Sequence, residues 1–137
     1  MAIKLIRQDV QSLFDAYHER KSEYDSLRAA GNWAGAILSG GMVLELALKL
    51  VICKHLGVPR LPVAFQVHDL ELLFYCSGHQ QALNTNKILQ RNFRVVLENW
   101  SLAQRYEGAK SQADADLLHQ ALFEISDGVV SFLTSYL

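Results

Sequence analysis

Between Asn32 and Gly57 the chain carries a stretch that fits only the interior of a helical fold. Ile37, Leu38, Val43, Leu44, Leu46, Ala47, Leu48, Val51 and Ile52 recur at helical spacing and fall on more than one face of a helix running from about Trp33 to Leu56. A helix that is apolar on several faces has to be wrapped by other elements. Asn32 is a favourable N-cap for it and Gly57 a stop, and Pro59 and Pro62 prevent continuation. Gly40 and Gly41 inside it each cost about 1 kcal/mol relative to alanine, which points to close backbone approach by another element. The most apolar part, residues 42–53, is shorter than a membrane span and contains Glu45 and Lys49, so no membrane segment is expected.

The rest of the chain repeats the helical period. Ile3, Ile6, Val10, Leu13, Phe14, Tyr17, Tyr24 and Leu27 form the stripe of a long first helix, closed by Gly31. A short third helix is predicted over about 67–77 and a fourth over about 80–103. The segment Arg105 to Gly108 breaks the pattern. Ser111 and Asp114 then have the spacing of a capping box, opening a last helix through Leu118, Ile125, Val129 and Leu133. The expected fold is therefore all-α, one domain spanning residues 1–137, built as an up-and-down bundle of about five helices.

Half of the 137 residues are apolar, and the formal net charge is −1. Disorder is excluded by the first figure, and a global basic field for nucleic acid by the second. Cys53 and Cys76 form no CxxC pair, and the five histidines share no metal-ligand spacing. Two reduced thiols, a cytoplasmic location, no metal and no cofactor are the expectation. Phosphate-loop, dinucleotide, zinc-protease and nucleophile-elbow motifs are absent from the sequence.

Four features carry possible chemistry. Glu45 and Lys49 stand at i and i+4, the favourable order for a helical ion pair, embedded in the apolar helix. His68 and Asp69 open the third helix, with Asp69 suited to capping and His68 to an anion. Lys87, Arg91 and Arg94 form a basic stripe, a candidate peripheral phosphate track. Trp100 with Arg105 and Tyr106 sits where the helical pattern lapses, an aromatic and guanidinium set that suits a base and a phosphate.

The stretch from Leu44 to Lys49 (Leu-Glu-Leu-Ala-Leu-Lys), followed by Leu56-Gly57 and Pro59, His68-Asp69-Leu70 with Leu72-Leu73, and then Trp100 and Arg105-Tyr106, resembles a HEPN domain (higher eukaryotes and prokaryotes nucleotide-binding). The resemblance covers most of the chain, from about Asn32 onward. It implies a bundle of four to five helices, usually paired as a homodimer. Members of that family are metal-independent RNases, partners of a minimal nucleotidyltransferase in toxin-antitoxin or defence settings, or nucleotide-binding modules. The RNase members carry an arginine followed after four to six residues by a histidine. No arginine here has that spacing; Arg60 and His68 are separated by seven residues, and His119 lies far beyond Arg105.

The resulting expectation is a dimeric, non-catalytic module for a nucleotide or RNA, with or without a nucleotidyltransferase partner. Its candidate ligand site combines His68, Arg105 and Tyr106 with Lys49 as a second cation, and with Glu45, Asp69 and Trp100 around them. A divergent metal-independent RNase and a structural dimerisation adaptor are the alternatives.

Overall fold

The computed structural model describes residues 8–100 and 110–137. The expectations placed on Ile3, Ile6, Arg105 and Tyr106 lie outside the described residues. Within them the protein is all-α, with no strand. The bundle expected to have about five helices shows seven: α1 (Val10–Ala29), α2 (Trp33–Leu56), α3 (Leu70–Tyr75), α4 (Gln80–Thr85), α5 (Lys87–Asn99), α6 (Gln112–Phe123) and α7 (Val129–Thr134).

The long helices begin and end where local chemistry allows. Asp9 caps α1, its carboxylate accepting from the Ser12 N–H at 2.7 Å. After α1, Gly31 takes φ +74°, and the Gly31 and Asn32 N–H groups close onto the Arg28 and Leu27 carbonyls. Asn32 then caps α2 through Gly35 N–H, and Gly57 closes α2 in the left-handed conformation. The Ser111–Asp114 capping box forms in both directions at the start of α6.

Two predicted helices are each broken in the middle. Asn86 leaves helical geometry between α4 and α5 because its side chain has better partners. Its Oδ1 accepts from the N–H groups of Ile88 and Leu89, both at 3.1 Å, while its Nδ2 donates to Asp127 at 2.9 Å. The last helix stops at Phe123, and Ser126 at φ +73° turns the chain before α7. Ser126-Asp127-Gly128 is turn chemistry set inside an apolar period. The third helix is also shorter than the predicted 67–77, because Asp69 caps it at Leu70.

α2 is the axis. α1 lies along it more extensively than any other helix, and α3, α6 and α7 cover its remaining sides, with α5 against α6 and α7. Val43, Leu44, Ala47, Leu48 and Ile52 are fully buried in one continuous apolar cluster. The nearest neighbours of the paired glycines are side chains of other elements rather than the close backbone expected there. A Cβ on Gly41 would overlap the Trp100 indole, and one on Gly40 would stand 3.1 Å from both Tyr24 and Leu122. Trp100 is held there by an Nε1–H bond to the Leu38 carbonyl at 3.1 Å.

α2 has 24 residues, and with a mean hydropathy of 2.0 over its most apolar 18-residue window it is long and apolar enough to cross a membrane, unlike the shorter stretch weighed from the sequence. Its most apolar window is 83% buried by the chain's own helices.

Candidate functional site

Glu45 and Lys49 project from one face of α2 and are both buried, at 8% and 4% exposure, with Lys49 Nζ 3.4 Å from Glu45 Oε2. Removing two charges from water is expensive, and replacing such a pair by apolar groups is often neutral or stabilising. A reason for charge inside this greasy helix must therefore be sought beyond stability.

The second oxygen of Glu45 supplies one. Oε1 lies 2.8 Å from Nδ1 of His68, whose side chain is 67% exposed. The loop after α2 and the cap of α3 bring the imidazole there. Asp69 accepts from the Leu72 N–H at 3.1 Å and fixes the start of α3, which packs on α2. A carboxylate acceptor at this distance sets the ring orientation and puts a hydrogen on Nδ1. Nε2 is then the nitrogen available to a ligand. It accepts or takes a proton when the ring is neutral and donates when the ring is charged.

The structure thus brings Glu45, Lys49 and His68 into one network. Asp69 adjoins it as a helix cap, with one of the first-turn N–H groups of this six-residue helix committed to it. Lys49 is placed beneath the surface, supporting Glu45 rather than reaching outward. Trp100 is not joined to the network; it is a core side chain wedged on Gly41, 7% exposed. Lys87, Arg91 and Arg94 are exposed on α5. Arg94 borders a groove of about 290 Å³ that also includes Tyr75 and Gln90. Among the described residues, no cluster of three or more His, Cys, Asp or Glu side chains could hold a metal ion. Cys53 and Cys76 are free thiols, and burial pushes the Cys53 thiol up.

No protein-family model, no curated protein and no solved structure matches this chain.

Proposed function

We propose that this chain is a HEPN-like helical module, paired as a homodimer, that binds the phosphate of a nucleotide or RNA strand at His68. The observation that carries the reading is the exposed imidazole oriented by a buried carboxylate, Glu45, which is itself paired to a buried lysine. That arrangement keeps Nε2 at a fixed place and turns the ring into a charge-assisted donor when it is protonated. Arg105 and Tyr106 are proposed, from their residue types, as the phosphate fork and the stacking face. The resemblance of the surrounding sequence suggests a minimal nucleotidyltransferase as partner.

Titration with a nucleoside triphosphate and with single-stranded RNA tests this. His68→Ala and Arg105→Ala are each expected to weaken binding by about 1.5–3 kcal/mol, the worth of a charged hydrogen bond, and Arg91→Ala by much less. Equal losses at all three positions, or none, would remove the site.

The second reading, a metal-independent RNase with a divergent site, is favoured by one feature of the same geometry: a carboxylate-held imidazole is also what a general base for a 2′-hydroxyl requires. RNA cleavage in EDTA that disappears in His68→Ala would establish it over simple binding.

A further inference from the structure

The groove bordered by Arg94 lies where α3, α4 and α5 come together, and each helix turns one face to it. Glu71 and Tyr75 stand at i and i+4 on α3, Leu83 comes from α4, and Phe93 and Leu97 stand at i and i+4 on α5, with Arg94 beside them. The rings of Phe74 and Phe93, 4.9 Å apart between centroids, tie α3 to α5. The groove of about 290 Å³ therefore has an apolar floor, made by the buried Phe93 and the half-buried Leu83 and Leu97. Its wall is the ring of Tyr75, a residue 63% exposed. A small concave apolar surface with a few polar groups around it is the usual form of a small-molecule site.

The charges of this groove are one of each sign. Glu71 and Arg94 both line it, yet no ion pair joins them, and neither side chain has a hydrogen-bonded partner among the described residues. The rest of its polar rim is neutral carboxamide. A single unpaired charge is ordinary on a protein surface, but two of opposite sign beside one apolar hollow select a ligand. A phosphodiester strand gains at Arg94 and loses at Glu71, and a cation does the reverse. A neutral apolar molecule uses neither. Arg91, on the same basic stripe of α5, borders a different groove, with Leu117 and Gln120.

We propose that this groove binds a free α-amino acid with an apolar side chain. The guanidinium of Arg94 takes the carboxylate, a pairing its two parallel N–H donors suit. The Glu71 carboxylate accepts from the ammonium, and the ligand side chain lies on Leu83, Phe93 and Leu97 against the Tyr75 ring. Beside apolar walls both charge contacts are stronger than in open water. A zwitterion answers the two protein charges together, which a ligand of one charge cannot. The site is separate from His68 and does not depend on the reading given to it. Spacing places Glu71 with Tyr75 and Phe93 with Leu97 on single helix faces, but only the fold brings those faces to one groove.

Calorimetric titration of the full chain with L-phenylalanine and L-leucine tests the proposal. Each is compared with its amine, which lacks the carboxylate, its deaminated acid, which lacks the ammonium, and its N-acetyl amide, which lacks both charges. Glycine serves as the probe without a side chain. At least one of the two amino acids is expected to bind once per chain, tenfold or more tighter than glycine and than each of its own analogues. Arg94→Gln should abolish the preference over the amine, and Glu71→Gln the preference over the deaminated acid, each weakening the amino acid at least tenfold. Both positions are exposed, and thermal melting checks that the variants fold. Arg91→Gln and His68→Ala should leave the affinity unchanged. The proposal is overturned if neither amino acid binds at millimolar concentration. An N-acetyl amide that binds as tightly overturns it too, and assigns the groove to a peptide segment. Equal weakening by Arg91→Gln and Arg94→Gln, or binding lost in His68→Ala, overturns it as well.

Discussion

Lys49 is the side chain whose removal should be felt most at the first site. Without it, Glu45 remains buried with only an exposed imidazole as partner, and breaking a buried pair from one side costs about 3 kcal/mol or more. Lys49→Met is expected to lower the urea midpoint accordingly, and Lys49→Met with Glu45→Leu to recover most of the loss. A double variant no more stable than the single one would show that the charges themselves hold the fold. The i, i+4 spacing made the Glu45–Lys49 pair legible in the sequence. The Glu45–His68 bond was not, because 23 residues and a proline-bearing loop separate partners that share no period. Two other histidines set a pH dependence. Burial, ahead of Arg28 and Lys21, lowers His119, and burial, ahead of His55, lowers His79. With folded values below the ordinary 6.5, the unfolded chain takes up protons first as pH falls. Their contribution is therefore present above about 6.5 and is lost as pH drops through the folded values. The urea midpoint should be lower at pH 5 than at pH 7.5, and His119→Gln should flatten the difference. A midpoint that rises on acidification would contradict this.

At the scale of elements, the decisive contact is Trp100 against Gly41. Gly41→Ala gains about 1 kcal/mol of helix propensity. It also drives a methyl into the indole, and overpacking of this kind costs about 1–3 kcal/mol. Net destabilisation is expected in wild type. In a Trp100→Phe chain, where the smaller ring leaves room, the same substitution should cost less or become favourable, and the difference measures the coupling. Additive effects would mean that the two residues do not meet. The paired glycines announced a close approach without naming its source, since Trp100 lies some sixty positions on. The helix breaks were hidden for a related reason. Asn86 sits in an apolar rhythm that continues on both sides of it, and its bond to Asp127, 41 residues away, adds to the α5 cap in making the interruption worthwhile. Asn86→Ala removes that bond and the α5 cap together, and should cost about 1–2 kcal/mol in denaturant titration.

For the molecule as a whole, the apolar character of α2 has two possible outlets, its own bundle or another surface. The structure uses the first. α1, α3, α6 and α7 cover the helix, and Tyr24, Leu122 and Trp100 fill the space beside Gly40 and Gly41 that a second chain would need. The chain is therefore expected to stay in solution without detergent, although α2 has the length and hydropathy of a membrane span. The homodimer then draws its support from the resemblance of the sequence, and its seam has to be sought away from α2. Light scattering at micromolar concentration is expected to give the mass of two chains, and Gly41→Ala to change stability without changing that mass. Dissociation caused by Gly41→Ala would place α2 at the seam. A single-chain mass in wild type would remove the dimer yet leave the His68 site standing, because Glu45, Lys49 and His68 all belong to one chain and meet within one bundle.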